Sequence, residues 1–196
     1  MTRELHPGDP LSIFATAFAA AQQREPFEAN AMVLSTVADG RPRSRVVLLK
    51  DLEGGAFVFH TNYTSAKGQE MITTPFVALN FHWPKGAEQV RVEGSVEKAD
   101  AAESDAYFAS RPRLSQLGAW ASDQSRPLDA RETFEARLAE VARRFEGRDV
   151  ERPPHWGGFR VTPARIEFWY GRENRLHDRF AYASGASGWI CQRLFP

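Results

Sequence analysis

The sequence predicts an α+β fold wrapped around a barrel or strongly curved sheet, mainly antiparallel, with helices at its periphery. Three observations carry this. Short β-rich runs separated by turn signals occupy most of residues 31–98, helical segments fill residues 101–145, and three further β-rich runs follow Pro153-Pro154. Strands on both sides of a helical insert fit one sheet better than alternating βαβ units. No repeat, low-complexity segment or linker divides the 196 residues, so residues 1–196 are expected to form a single domain, with residues 1–9 polar and mobile.

Each element has a local reason. Pro10 to Gln23 reads as an amphipathic helix, with Leu11, Phe14, Phe18 and Ala21 on one face, Asp9 as N-cap and Pro10 in the first turn; Pro26 ends it. Ala31–Val37, Ser44–Lys50 and Ala56–Thr61 are strands joined by Ala38-Asp39-Gly40 and Leu52-Glu53-Gly54-Gly55, which predicts an antiparallel meander. Thr64–Thr73 is a short helix capped by Thr64 or Ser65. Phe76–Trp83 and Glu88–Lys98 are strands around the turn Pro84-Lys85-Gly86. Ala101–Ala109, Ser115–Ser122 (capped by Ser115) and Asp129–Phe145 are helices. The closing strands are Phe159–Val161 extended through Ile166–Trp169, then Leu176–Tyr182 and Trp189–Leu194.

Composition narrows the function. Lys+Arg and Asp+Glu both count 25, so the formal net charge is zero, which argues against a general binder of nucleic acid or anionic membrane. Cys191 is the single cysteine, so neither an intramolecular disulfide nor a cysteine-based metal site can form. The five histidines are never spaced like a metal set, and no phosphate-binding glycine loop, metalloprotease motif or nucleophile elbow is present. The N-terminus lacks the apolar run of a signal peptide and no stretch reaches membrane-spanning length, so a cytoplasmic protein is the default expectation.

Several cationic features remain. Arg45 and Lys50 flank four aliphatic residues, a run that predicts burial on both faces of a strand; the cations either snorkel to water and pair with acids or meet an anionic ligand. They are five positions apart, so an ideal strand aims them at opposite faces, and either they serve different groups or the strand is bulged. Thr61, Ser65 and Lys67 gather at a helix N-terminus, where a lysine is either a surface group or the partner of an anion such as phosphate. Tyr107 and Arg111 are four apart on a helix face, with Pro112 and Ser115 after them; ordinary helix termination and convergence on one phosphate fit equally. Gln89, Gln124 and Ser125 add neutral hydrogen-bonding groups. In residues 169–179, Gly171–Asn174 reads as a hairpin turn, and an extended run after it puts Arg175, His177 and Arg179 on one face and Leu176 and Asp178 on the other.

Taken together, RVVLLK (45–50), YFASRPRLSQLGAWASDQS (107–125), WGGFRV (156–161), IEFW (166–169), RLHDRF (175–180) and the C-terminal WICQRLFP resemble the pyridoxamine 5′-phosphate oxidase family in order and over nearly the whole chain. The resemblance implies an FMN-binding split β-barrel of Greek-key type, working as a homodimer with FMN in the interface. It puts the FMN contacts on Arg45, Val46, Val47, Leu48, Leu49, Lys50, His60, Thr61, Lys67, Gln89, Gln124, Ser125, Trp169 and Arg179. The substrate, pyridoxamine or pyridoxine 5′-phosphate, falls to Lys50, Tyr107, Arg111, Ser115 and Leu176, with Arg175 and His177 at its reacting side. The implied reaction is hydride transfer from the C4′ carbon to flavin N5, followed by reoxidation by dioxygen to give hydrogen peroxide and pyridoxal 5′-phosphate; no metal is implied. Split-barrel flavoenzymes acting on another ring system, such as a phenazine precursor, and non-catalytic binders of FMN or pyridoxal phosphate are the alternative readings.

The chain departs from the family pattern at identifiable places. His60-Thr61 stands for Tyr-Thr, Ser65-Ala66-Lys67 for Ser-Arg-Lys, Glu88 for an arginine and Tyr170 for glutamine, and the final Leu-x-Pro has Phe195 in its middle position. The family's basic, tyrosine-containing N-terminal segment finds no counterpart.

Overall fold

The structure, a computed structural model, describes residues 8–196. The mobility expected of residues 1–9 therefore lies largely outside the described residues. Asp9 is placed: its carboxylate accepts from the N–H groups of Leu11 and Ser12 and opens helix α1 (Pro10–Arg24). The expected apolar face packs inward. Phe14 is fully buried, its ring 4.8 Å from Phe57 and 5.0 Å from Phe81.

The strands are β1 (Ala31–Ala38), β2 (Arg41–Leu48), β3 (Asp51–Glu53), β4 (Ala56–Asn62), β5 (Phe76–Trp83), β6 (Glu88–Lys98), β7 (Trp156–Tyr170), β8 (Asp178–Gly185) and β9 (Gly188–Leu194). Helices α2 (Ala66–Thr73), α3 (Ala101–Ser110), α4 (Arg113–Ala121) and α5 (Arg131–Arg144) complete the order. Every pairing is antiparallel, and the sheet runs β2-β1-β5-β6-β7-β4-β3, with β8 on β7 and β9 on β8. Asp39 and Gly40, at φ 53° and 70°, make the tight β1–β2 turn that an Asp-Gly pair favours.

Strand β7 organises this sheet. One of its edges is taken by β6, which pairs along it from Tyr170 to Phe159. Its other edge is divided: residues 156–161 pair with β4, and residues 165–170 pair with β8. The sheet therefore forks rather than closing. At the far end, Lys50 N–H donates to Val58 O at 2.8 Å, which draws the end of β2 back toward β4. This is a split barrel.

Three expectations need correction. The first three strands are not a meander: β1 pairs β2 and β3 pairs β4, but β5, β6 and β7 lie between the two pairs in the sheet. The aliphatic run of β2 is not buried on both faces; Val46 is 64% exposed, Val47 and Leu48 are half-buried, and only Leu49 enters the core. The reason is position, since β2 is an edge strand paired only with β1. Ser115 does not cap α4. The helix begins two residues earlier after Pro112, whose carbonyl accepts from Ser115 N–H.

The main core lies between α1 and the inner face of the sheet, and includes Leu34, Phe57, Phe81, Val92, Ile166 and Phe168. A second cluster of Phe108, Leu117, Phe145, Val150 and Trp156 joins α3 and α4 to β7, with Leu138 and Val141 of α5 packed against it.

The β6–β7 register shifts between Glu93 and Gly94, and a Cβ on Gly94 would overlap Thr162 O and lie 2.9 Å from Pro163 Cα. Both obstacles are backbone, so the strands must part to admit a methyl group. Gly94→Ala is expected to destabilise the protein by roughly 2–3 kcal/mol, read from the urea midpoint. An unchanged midpoint would show that the bulge relaxes freely.

Candidate active site

A cavity of about 790 Å³ opens between β2, β4, the start of α2, and the α3–α4 connection. Its walls include Val46, Val47 and Leu48, whose exposure on the edge strand now has a use. Eight other expected residues line it: Lys50, His60, Thr61, Lys67, Tyr107, Arg111, Ser115 and Gln124. The structure thus brings together most of two sets that are far apart in sequence.

One end is aromatic and cationic. Arg111 ends α3, held extended before Pro112. Its guanidinium lies 4.5 Å from the Trp156 ring centre and 5.6 Å from that of Phe108. Its Nη1 is buried without a hydrogen-bond partner among the described residues, and burial pushes its pKa down. A buried guanidinium N–H left unpaired costs free energy that an anion would offset. Lys50 Nζ lies 5.9 Å from the Tyr107 ring centre, adding a second cation at this end.

His60 forms the floor. Its ring stacks on Tyr107 at 4.0 Å and on Trp156 at 5.4 Å. It lies opposite Gly158, where a Cβ would approach its Nε2 to 3.1 Å, so the glycine makes room for the imidazole. Both ring nitrogens are buried without partners among the described residues. Burial first, then the positive charges of Arg111, Lys50 and Arg152, push its pKa from 6.5 to about 4. The ring is therefore neutral at pH 7 and serves as an aromatic platform for Tyr107.

The other end is polar. Lys67 Nζ donates to Gln124 Oε1 at 2.9 Å and to Thr61 Oγ1 at 3.4 Å, in the first turn of α2. Burial and nearby Arg45 push its pKa down, with Glu70 opposing. Arg45 itself donates to Glu70 Oε2 at 2.7 Å and to Thr36 Oγ1 at 2.5 Å. Three expected residues are off the cavity wall: Arg45 is turned to Glu70 and Thr36, the Leu49 side chain is in the core, and Ser125 sits exposed beside Gln124 at φ 74°.

A second group stands apart, and none of it is on the cavity wall. Cross-strand register aligns Gln89, Trp169 and Arg179 in one row over β6, β7 and β8. Arg179 is held by Glu167 at 2.8 Å and donates to Phe195 O at 3.1 Å. His177 packs on Trp169 at 4.5 Å, and its Nδ1 accepts from Arg172 N–H at 3.1 Å. That bond leaves the proton of a neutral ring on Nε2, which becomes a donor.

The expected extended run from Arg175 to Arg179 is corrected here. Residues 173–175 form a 3₁₀ turn, β8 starts only at Asp178, and both Asn174 and Arg175 adopt left-handed φ values, 55° and 61°. His177 is thus brought onto Trp169 by a turn and not by strand alternation. Arg175 and Leu176 are exposed.

Glu88, which breaks the family pattern, is buried and paired with Arg24 at 2.8 Å. Gly86 leaves the space that the Arg24 guanidinium occupies. Asn62 and Trp156 line the cavity without having been singled out as site residues. The signal was the WGG run: a side chain on Gly157 would collide with Tyr63, so that tight strand fixes what stands beside it. Among the described residues no group of His, Cys, Asp and Glu is placed to hold a metal, and no helix is long and apolar enough to cross a membrane.

Comparison with known proteins gives this geometry a context. Residues 18–145 match the family described as pyridoxamine 5′-phosphate oxidase, and residues 156–196 match the pyridoxine 5′-phosphate oxidase C-terminal dimerisation region. The chain belongs to the pyridoxamine 5′-phosphate oxidase family. It is an oxidoreductase of that family, as the relatives make plain. A pyridoxine/pyridoxamine 5′-phosphate oxidase of Myxococcus xanthus is 54% identical over 195 residues, covering 99% of this chain and 95% of its own. That of Sphingopyxis alaskensis is 56% identical over 189 residues, covering 96% and 88%. Among solved structures, PhzG from Burkholderia lata in complex with tetrahydrophenazine-1-carboxylic acid superposes with a TM-score of 0.91 at 28% identity, over 100% of this chain and 99% of that one. A pyridoxamine 5′-phosphate oxidase-related, FMN binding protein from Nostoc punctiforme shares the fold, with a TM-score of 0.74 at 20% identity over 98% and 99%.

The buried His60 has a measurable consequence. Above pH 6.5 the imidazole is neutral in both folded and unfolded chains; between 6.5 and about 4 only the unfolded chain takes up the proton, so acidification removes stability. With solvent screening allowed for, wild type should lose roughly 1–2 kcal/mol more than His60→Phe from pH 7 to about pH 4. Urea unfolding of both proteins across that range tests this, and parallel curves would remove His60 as the cause.

Proposed function

We propose that this protein is an FMN-dependent oxidase that converts pyridoxamine 5′-phosphate and pyridoxine 5′-phosphate to pyridoxal 5′-phosphate, with dioxygen reduced to hydrogen peroxide. The observation that carries this is the cavity itself. An aromatic end holds Arg111 with an unpaired N–H beside Lys50, Tyr107 and Ser115, and a polar end holds Thr61, Lys67 and Gln124. These are donor sets for two phosphorylated ligands in one chamber. The names of the relatives supply the substrate class.

The donor set fits FMN. Arg45 and Lys67 supply positive charge, and Thr61 and Gln124 supply neutral hydrogen bonds; Lys67, with its pKa pushed down, gains from an anion beside it. FMN held by these residues would supply the redox chemistry, two-electron oxidation of the substrate with dioxygen as the final acceptor. The chain positions and polarises. Lys50 and Arg111 neutralise the substrate phosphate, Tyr107 and Ser115 donate hydroxyl hydrogen bonds to it, and the His60 ring keeps Tyr107 in place. His177 offers Nε2–H to the substrate's ring oxygen, and Arg175 orients and polarises the reacting substituent.

The cavity and the row of Gln89, Trp169 and Arg179 are separate within one chain. A homodimer reconciles them, the row of one protomer covering the cavity of its partner with FMN between; the match of residues 156–196 to a dimerisation region supports this. The whole chain then works as one oxidase domain. The resemblance to PhzG favours a second reading, oxidation of a fused-ring carboxylate in the same chamber.

Anaerobic mixing of the FMN-loaded protein with pyridoxamine 5′-phosphate should bleach the flavin. No bleaching with that substrate, but bleaching with a reduced phenazine carboxylate, selects the second reading. Arg175→Ala should retain FMN yet lose kcat/KM by about 30- to 1,000-fold, the scale of a lost transition-state donor. Unchanged turnover would take Arg175 out of the reaction.

A further inference from the structure

We infer that Arg43, which no motif match singles out, binds the terminal phosphate of FMN; this rests on the flavin reading above. The β1–β2 register sets Arg43 opposite Thr36 and Arg45 opposite Leu34, so the two arginines share a face of β2. Both reach for the same buried carboxylate. Arg45 Nη2 lies 2.7 Å from Glu70 Oε2, and Arg43 Nη1 lies 3.5 Å from Glu70 Oε1. Thr36 Oγ1 also donates to Glu70 Oε2 at 2.6 Å. Burial alone would raise the Glu70 pKa, but Thr36, Arg45 and Arg43 more than offset it and hold the carboxyl ionised.

Charge bookkeeping then leaves a surplus. Arg43, Arg45 and Lys67 are three cations around one buried carboxylate, so two positive charges remain. Asp39 does little to reduce this, being 91% exposed and 3.9 Å from Arg43. A phosphate monoester near neutral pH carries a charge of about −1.5 to −2, which matches that surplus. Glu70 lies on α2 one turn after Ala66, and Lys67 of the same helix faces the cavity through Thr61 and Gln124. Arg43 is off the cavity wall itself and is tied to its Lys67 end through Glu70. Its side chain is half exposed, and Glu70 engages only one edge of a guanidinium with five N–H donors, so the fork remains open to phosphate oxygens. Ala66 contributes no charge at this spot, and an arginine there would project from the same helix face as Glu70.

The test compares two ligands that differ only in the phosphate. FMN and riboflavin binding to the apo full-length protein are titrated by flavin fluorescence quenching, for wild type, Arg43→Ala, Arg43→Lys and the double variant Arg43→Ala/Ala66→Arg. Arg43→Ala is expected to weaken FMN by about tenfold or more and to leave riboflavin within about twofold. Arg43→Lys should restore part of the loss, and Ala66→Arg should restore it from the helix side. Equal losses for both flavins would overturn the assignment and leave Arg43 as a structural partner of Glu70. Unchanged FMN affinity would overturn it as well. Wild type that binds neither flavin would overturn the flavin reading itself, an outcome distinct from either.

Discussion

Strand β7 has two neighbours on one edge, and the rest of the structure follows from that division. Six of its residues pair with β4 and six with β8, while β6 holds the opposite edge. A strand serving two partners cannot lie in a simple closed barrel. The fork puts Trp156 at the cavity floor and Trp169 at the head of the second row, on one continuous segment of chain. What one strand joins covalently, its geometry keeps apart, and so the chamber and the row come from one chain as two separate surfaces.

Electrostatics in this protein is a matter of placement, not quantity. The formal net charge is zero, yet Arg111, Lys50 and Arg152 crowd the His60 platform, and Arg45 bears on Lys67. The compensating acids are held back from the cavity. Glu70 lies behind Arg45, Glu167 behind Arg179, and Glu88 is tied to Arg24. Each buried carboxylate fixes the aim of a guanidinium.

Much of this was legible in the sequence, and the failures have physical causes. Turn chemistry at Asp39-Gly40 and the cap at Asp9 are local, and both are as read. Sheet order is not local: nothing in residues 31–62 says that β5, β6 and β7 will come between β1 and β4. The aliphatic run of β2 reads as a buried strand because periodicity cannot separate a core from a ligand cavity. The turn at Asn174-Arg175 was misread for a different reason, since a left-handed arginine runs against the intrinsic preference of the residue. Of the site, the cavity residues were legible as cations near helix ends. That Leu49 turns into the core while its neighbours do not required the edge position of β2.

The pairing of β4 with β7 joins Phe57 to Val161 and Asn62 to Trp156, across most of the intervening chain. Contacts of such sequence separation carry the loop-closure cost of everything between, which slows folding. The cavity floor is built from that ladder, since His60 stands on Gly158 beside Trp156. Without the β4–β7 pairing there is no chamber. Any ligand of the chamber recognises only the finished protein, so its supply acts by mass action on how much of the chain stays folded. Ligand that fills the chamber therefore also raises the folded fraction of the chain.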